Sequence, residues 1–239
     1  HDLSYIKELK PTLYELAIGG TAVGTGLNAA PGMTEKIADK LSAVYGHEFK
    51  VKTNKFWGLA HHSGLDVVHG ALKTLAADMF KIAQDIRFLA SGPRAGYHEL
   101  NIPANEPGSS IMPGKVNPTQ AEAVTMATAK VFGNYTTITF ASSQGNFEMN
   151  VFKTVLIASF LDSCDILTGA IIGFADKMIH GLTVNEERMD ELLENSLMTV
   201  TALSPHIGYH AAAEIAQTAD KEGTTLKEAA LKSGKAVSY

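Results

Sequence analysis

The chain has 239 residues, of which 45% are hydrophobic and 19% charged, and its formal net charge at pH 7 is −5. A chain of this size and composition forms one globular domain, or one domain with a small appendage, and the negative charge excludes the basic face that nucleic-acid binding requires. The single cysteine, Cys164, excludes an internal disulfide and suits a reducing compartment. The longest apolar run, residues 166–175, is too short to cross a bilayer, so we expect no membrane contact.

The first ninety residues are predicted to be helical on either side of one glycine-rich loop. Helical spacing of apolar residues predicts helices over 3–17 and 34–45, the second with Thr34 as its N-cap. The segment between them, residues 19–33, is the glycine-rich loop. A long amphipathic helix is predicted over 56–90, where apolar residues step by three or four positions: Leu65, Val68, Leu72, Leu75, Met79, Ile82, Ile86 and Leu89.

A long connection, residues 93–117, leads to the best-marked helix start in the chain. Asn117 is predicted to be the N-cap, Pro118 fits the first helical position, and Gln120 can complete a capping box. The helix itself is predicted over 118–142. A connection as long as 93–117 inside a compact domain is usually functional.

The remaining sequence predicts one more long helix and several short ones. Residues 149–180 predict a helix that is apolar or small on nearly every side, which requires burial on several sides. Three shorter helices follow, over 185–202, 205–219 and 224–231. Because no segment alternates with the period of a strand, the predicted fold class is all-α. We expect a long-helix bundle over 1–180 and a small helical C-terminal domain over 181–239.

The stretch GSSIMPGKVNP, residues 108–118, carries most of the readable chemistry. It delivers Ser109, Ser110, Lys115 and Asn117 to the start of a predicted helix. Helix N-termini have unpaired N–H groups and a partial positive charge, so they bind anions well. Two hydroxyls, one ammonium and one carboxamide at such a place predict a site for a small carboxylate.

Each of these residues also has a purely structural interpretation. The two serines could be ordinary turn residues, Lys115 a solvated surface lysine, and Asn117 a cap alone. Glu122 either interacts favourably with the helix dipole or orients a catalytic histidine. The histidines at 61, 62 and 69 lack the carboxylate or cysteine that would complete a metal site, so we expect no metal. Residues 24–26 have a Gly-Thr-Gly pattern, but no strand precedes them, which excludes a dinucleotide fold.

The signature and five further segments resemble the fumarase/aspartase superfamily, and within it the class II fumarate hydratases. The signature is highly specific, and the resemblance extends over essentially the whole chain. The further segments are GGTAVGTGLN at 19–28, NKF at 54–56, ASGPR at 90–94, GNFEMNVFK at 145–153 and NSLMTVTALSPHIGY at 195–209.

The resemblance implies a reaction and a role for each residue of the loop. Class II fumarases hydrate fumarate reversibly to (S)-malate without a metal or a redox cofactor. Ser109 would be the base that removes the C3 proton of malate, giving an aci-carboxylate intermediate. Glu122 would pair with the active-site histidine. Substrate binding falls to four residues: Ser110, Lys115, Val116 and Asn117.

The resemblance also implies partners and a larger parent protein. Family members are homotetramers whose active sites combine several subunits, and the small-residue helix over 149–180 suits such close packing. The motif that carries the catalytic histidine belongs upstream of His1, so we expect a fragment of roughly half the enzyme. The expected compartment is the bacterial cytoplasm, with mitochondria as the alternative. Two other functions stay open: aspartate ammonia-lyase, which usually has alanine at the position of Gly114, and a catalytically inactive assembly fragment.

Overall fold

The computed structural model describes residues 1–234, so the last five residues of the predicted C-terminal domain lie outside the described part. The described chain is α-helical, as predicted, and each of its strands is two residues long. Its helices are α1 (Asp2–Leu9), α2 (Met33–Tyr45), α3 (Lys55–Ala60), α4 (Ser63–Leu89), α5 (Thr119–Ser142), α6 (Lys153–Lys177), α7 (Glu186–Asn195), α8 (Ser204–Ile207), α9 (Tyr209–Glu222) and α10 (Leu226–Ser233). Its strands are β1 (Glu15–Leu16), β2 (Lys50–Val51), β3 (Leu100–Asn101) and β4 (Thr183–Val184). Strands β1 and β2 pair parallel, and β3 and β4 pair antiparallel.

The chain divides into two compact units. Unit 1 comprises His1–Arg87 and Pro103–Gly181. Unit 2 comprises Phe88–Ile102 together with the chain from Leu182 onward. The segment 88–102 therefore leaves unit 1, packs with the C-terminal residues, and returns to the loop that carries the signature.

The core of unit 1 lies among α4, α5 and α6. Val68 of α4, Ile138 of α5 and Leu156 of α6 belong to one apolar cluster, and each is at most 3% exposed. A second cluster further along the same helices contains Val131 of α5 and Leu167 of α6. The order of these pairs makes α5 and α6 antiparallel. Burying one such side chain contributes roughly 1.5–3 kcal/mol, so this seam is the main source of stability in unit 1.

The turn between α5 and α6 is fixed by a fully buried asparagine. Asn150 donates from Nδ2 to the carbonyl of Ala141 at 2.9 Å and accepts at Oδ1 from the N–H of Phe152 at 2.9 Å. One side chain thus closes the end of α5 and the start of α6, and no buried amide group is left without a partner.

The outer faces of α5 and α6 expose large apolar side chains. Those more than 40% exposed include Met126, Phe132, Phe140, Ile157, Leu161 and Ile172. The helical stretch Lys153–Gly181 reaches a mean hydropathy of 1.8, and 22% of its most apolar window is buried. By length and composition it could cross a membrane, which the shorter run 166–175 did not indicate. A helix from the core of a multi-helix assembly has the same composition, and exposed patches of this size usually mark interaction surfaces.

The first predicted helix is shorter than expected. The α-helical part ends at Leu9, and a 3₁₀-helix over Lys10–Tyr14 follows it. Pro11 explains the change, because proline has no N–H for the α-helical hydrogen bond but fits the first turn of a new helix. Thr12 secures the junction by donating its hydroxyl to the Leu9 carbonyl at 2.7 Å.

The helix predicted over 56–90 is in fact two helices. Asn54 caps α3 by accepting from the N–H of Trp57 at 3.0 Å. His61 then has an extended backbone, with φ −116° and ψ 140°, and α4 begins at Ser63. The apolar period continues across this break, which is why periodicity alone did not indicate it.

Thr34 is not the N-cap of α2, so that prediction was wrong. The cap is Gly32, whose left-handed φ of 70° suits glycine. Thr34 is buried, its hydroxyl donates to the Glu35 carboxylate at 2.8 Å, and its methyl lies against Gly19. Thr34, which local capping rules assign to the end of the helix, therefore packs against the glycine-rich loop instead.

Unit 2 is a small helical structure with its own core. Ile215 and Ala219 of α9 pack on Leu226 and Ala230 of α10, and all four are at most 8% exposed. Thr225 begins α10 with a capping box, in which its hydroxyl and the Glu228 carboxylate each bind the other residue's backbone N–H. The helix predicted over 185–202 is α7 followed by a 3₁₀-helix over Leu197–Ala202.

Candidate active site

The signature loop is irregular throughout and leads directly into α5. Ser109 is half-buried, and its Oγ accepts from two backbone N–H groups, that of Ile111 at 3.2 Å and that of Met112 at 3.1 Å. Two donors aimed at one hydroxyl oxygen favour negative charge on that oxygen, since they stabilise an alkoxide more than a neutral hydroxyl.

The other polar residues of the loop face solvent. Ser110, Lys115 and Val116 are exposed. Within residues 1–234 the ammonium of Lys115 has no ion pair and no hydrogen bond. The Lys115 backbone N–H donates to the Met112 carbonyl at 3.3 Å, which closes the turn at the loop tip. The tip therefore presents an unpaired cation and a hydroxyl, a combination that can bind an anion.

Asn117 does not cap α5, contrary to the prediction. The N-cap of α5 is Pro118, without a side-chain cap bond. Asn117 instead donates from Nδ2 across the loop to the Gly108 carbonyl at 2.6 Å. A long-range contact has taken the carboxamide away from the helix end. The second Nδ2 hydrogen and the carboxamide oxygen have no partner among the described residues, so the group retains binding capacity.

Glu122 lies in the first turn of α5, beside an arginine. Its N–H donates to the Pro118 carbonyl at 3.0 Å, and its Oε1 lies 3.4 Å from Nη2 of Arg87. Both side chains are about two-fifths exposed, so the pair alone adds little stability. No motif in the sequence indicates Arg87. The available signal was its place in the last turn of α4, where cations are favoured.

His69 of α4 belongs to the core rather than to the loop, and half-buried His62 immediately precedes that helix. His69 is fully buried, with Nε2 2.8 Å from the Ser163 hydroxyl and its ring stacked on Tyr135. Burial lowers the pKa of His69 to about 4, so the ring is neutral at pH 7. Burial likewise lowers the pKa of His62. Within residues 1–234, no group of three histidine, cysteine, aspartate or glutamate side chains is placed to hold a metal ion.

Two sequence families match the chain. The model described as Lyase matches residues 1–133, more than half of the chain, and the one described as Fumarase C C-terminus matches residues 200–236. The chain belongs to the lyase family. The resemblance to the fumarase/aspartase group, which the signature loop carries, is thereby confirmed.

Two curated relatives of the chain are named fumarate hydratases. Fumarate hydratase class II of Halalkalibacterium halodurans is 60% identical over 229 residues, which cover 96% of this chain and 50% of that protein. The mitochondrial fumarate hydratase of Danio rerio is 55% identical over 234 residues, with 98% and 46% covered. The chain thus spans about half the length of the curated relatives it matches.

A solved structure supports the fold in the same way. The class II fumarase of Schistosoma mansoni superposes with a TM-score of 0.91 at 40% sequence identity, covering 98% of this chain and 52% of that one. This agreement confirms the all-α, long-helix fold class predicted from the sequence.

Proposed function

We propose that the protein to which this chain belongs is a fumarate hydratase that interconverts fumarate and (S)-malate. The observation that supports this most is the geometry of Ser109, whose Oγ accepts from two backbone N–H groups inside a lyase-family signature. Direct support also comes from relatives named fumarate hydratase that are 55–60% identical to the chain.

In this proposal Ser109 acts as the base. The alkoxide form of Ser109 takes the C3 proton of malate, and the N–H groups of Ile111 and Met112 lower the free energy of that alkoxide. The electron pair left at C3 delocalises into the neighbouring carboxylate. When the C2–O bond breaks, that electron pair forms the C2–C3 double bond, and the C2 hydroxyl leaves as water by taking a proton from a general acid that residues outside this chain would supply. Preorganised donors of this kind are typically worth about 3 kcal/mol each.

The carboxylate that gains charge is bound by the loop tip. Lys115 would supply an unpaired ammonium, Ser110 an exposed hydroxyl, Val116 its backbone, and Asn117 one N–H that has no partner among the described residues. These groups strengthen their hold as charge accumulates in the intermediate, so they lower the barrier as well as binding the substrate.

Glu122 has a supporting role. Its carboxylate would orient a histidine supplied by residues other than those of this chain, and Arg87, 3.4 Å from that carboxylate, would help to hold it in place. The proposed reaction requires neither a metal nor a redox cofactor.

We also propose a homotetramer in which the exposed faces of α5 and α6 are covered by other copies. The apolar side chains on these faces have no partner within residues 1–234, and the small residues of α6 let helices approach closely. Size-exclusion chromatography with light scattering is expected to give a tetramer or dimer. A monomer at all concentrations would contradict this. The proposed compartment is the bacterial cytoplasm, with mitochondria as the alternative.

Substrate choice separates this function from that of an ammonia-lyase. Purified protein carrying the whole active site is incubated with malate and, separately, with aspartate, and fumarate is measured. We expect fumarate from malate only, and fumarate from aspartate alone would refute the proposal. The chain as given is the matched comparison. It is expected to be inactive, because no histidine in its described residues pairs with Glu122.

A further inference from the structure

Residues 105–108 and 117–120 form two arms on either side of the tip of the signature loop. Side-chain hydrogen bonds join these arms in a regular antiparallel order. Asn105 donates from Nδ2 to Oε1 of Gln120 at 3.2 Å, and the hydroxyl of Thr119 donates to the Glu106 carboxylate. Asn117 donates to the Gly108 carbonyl at 2.6 Å. The partners are 105 with 120, 106 with 119 and 108 with 117, so each step along one arm matches one step back along the other.

Close backbone contact beside the pair of residues 108 and 117 fixes the separation of the arms. A methyl group added at Gly108 would overlap the carbonyl of Lys115, so the two backbones are in contact there. The pair of residues 105 and 120 is also attached outside the loop, because Asn105 Nδ2 donates to the Lys177 carbonyl at 2.7 Å. Lys177 is the last residue of α6. The arms are therefore tied to each other and to the C-terminal end of a core helix.

The joined arms form the neck of the loop, and the tip that follows the neck is exposed. Beyond the neck, Ile111 is 83% exposed and Met112 49% exposed, and within residues 1–234 the side chains at the tip contact no other element through a hydrogen bond or ion pair. Among the described residues, the hydrogen bonds that hold the tip are therefore those of the neck, of the turn around Ser109 and of the Lys115–Met112 backbone pair.

We propose that Asn105, Glu106, Thr119 and Gln120 form a neck clamp, whose function is to position Ser109 and Lys115 for the reaction. These four are positioning residues, because their side chains bond to one another and to the end of α6 rather than to Ser109 or Lys115. The inference rests on the proposed function for its catalytic meaning, but the clamp itself is a property of the loop. Misplacing a catalytic group by about 1 Å can slow a reaction about a hundredfold, so holding a short exposed tip in place has a large effect.

Tryptic cleavage after Lys115 measures the clamp without any activity assay. A protease binds its substrate in an extended conformation, so cleavage at the exposed Lys115 requires the two arms to move apart, and its rate follows the population of that open form when opening is fast. The test variant is Thr119→Val, which keeps the shape and removes the hydroxyl, with Glu106→Ala as a second variant on the other arm. Thr136→Val is the matched control, because Thr136 lies on the same helix and donates to its own helix carbonyl at Phe132.

We expect Thr119→Val and Glu106→Ala to accelerate cleavage between Lys115 and Val116 by about tenfold, which corresponds to losing one hydrogen bond to a charged group. Thr119→Ser retains the hydroxyl and is expected to stay within about twofold of the parent, as is Thr136→Val. The melting temperature of each variant shows that it is folded. Equal cleavage rates for Thr119→Val and Thr136→Val would overturn the clamp.

The same variants in the complete enzyme test its catalytic meaning. A positioning role predicts that Thr119→Val lowers kcat by about tenfold with KM within about twofold, and that Thr119→Ser restores kcat. Faster cleavage with an unchanged kcat would overturn the positioning role. Absence of fumarate hydration by the unmodified enzyme would refute the proposed function, whereas the cleavage comparison judges the clamp independently.

Discussion

His69 of α4 and Ser163 of α6 meet in the centre of unit 1, with Nε2 and Oγ 2.8 Å apart and both residues fully buried. Ser163 also accepts from Nδ2 of Asn134 on α5 at 2.9 Å, and the same amide donates to Asp162 at 2.7 Å. One polar network therefore joins all three core helices. Such a network fixes the register of the helices, because sliding any one of them would leave buried polar atoms unpaired.

The buried imidazole makes stability depend on pH in a defined direction. The pKa of His69 is about 4 in the folded chain because burial disfavours the charged ring, against 6.5 for an ordinary histidine. The unfolded chain therefore binds the proton first as the pH falls. The stabilisation that depends on a neutral His69 is fully present above pH 6.5. It decreases toward pH 4, where the free energy of unfolding is lower by about 3 kcal/mol.

Urea unfolding at a series of pH values between these limits measures this slope. His180→Gln is the control, since His180 is exposed and its loss should leave the slope unchanged. His69→Gln is expected to flatten the slope even though it lowers stability overall. The same slope in both variants would show that another group is responsible.

A buried hydroxyl that joins α5 to α4 offers a second stability test. Thr128 is 2% exposed and donates to the Ala76 carbonyl on α4 at 3.0 Å. Thr128→Val preserves shape and loses this bond, so it should lower the free energy of unfolding by about 1 kcal/mol. Thr137→Val is the matched control, because half-buried Thr137 donates within its own helix to the Gly133 carbonyl. Equal unfolding midpoints for the two variants would contradict the tertiary role of Thr128.

Gly108 is expected to tolerate no side chain. In Gly108→Ala the added methyl overlaps the Lys115 carbonyl, so the arms must separate and the bond from Asn117 is strained or lost. We expect a loss of about 1–3 kcal/mol, typical of overpacking. Amide chemical shifts across 105–120 should also change.

Gly70→Ala provides the comparison for that variant. A methyl at Gly70 would lie 3.7 Å from the Tyr135 ring, which is ordinary contact, and alanine favours the helix over glycine by about 1 kcal/mol. The expected result is unchanged or increased stability. If Gly108→Ala behaves in the same way as Gly70→Ala, the arms are not in contact.

Lys115 is expected to affect activity without affecting stability. Its ammonium has no partner in the described part of the chain, so Lys115→Met should leave the melting temperature unchanged. In the complete enzyme the same change should lower kcat/KM for malate by about 100- to 1000-fold, because a cation facing the developing charge is lost. Lys36→Met, an exposed lysine of α2, is the control. Similar activity in both variants would remove Lys115 from the site.

The sequence predicted the long helices well because their apolar period is continuous and the side chains in that period pack against one another in the core of unit 1. It placed the signature loop correctly at the start of α5, since proline and glycine mark that boundary locally. The start of α4 was misplaced because the apolar period runs through His61, and only the backbone conformation reveals the break.

The errors at Thr34 and Asn117 have a common physical cause. In each case the sequence offers a good cap, but the side chain is used in a contact with a residue at least nine positions away, Gly19 or Gly108. Capping rules consider only the next few residues and cannot see such contacts. The partners of Glu122 and Thr119 were missed for the same reason, since Arg87 and Glu106 become neighbours only in the folded chain.

Ser109 is proposed as the base of a fumarate hydratase, and one variant tests this role directly. Ser109→Ala is made in the complete enzyme, and the conversion of malate to fumarate is measured alongside the oligomeric state. We predict turnover lower by about a thousandfold with the assembly unchanged, because the proton acceptor at C3 is gone. Turnover near that of the unmodified enzyme would contradict the account.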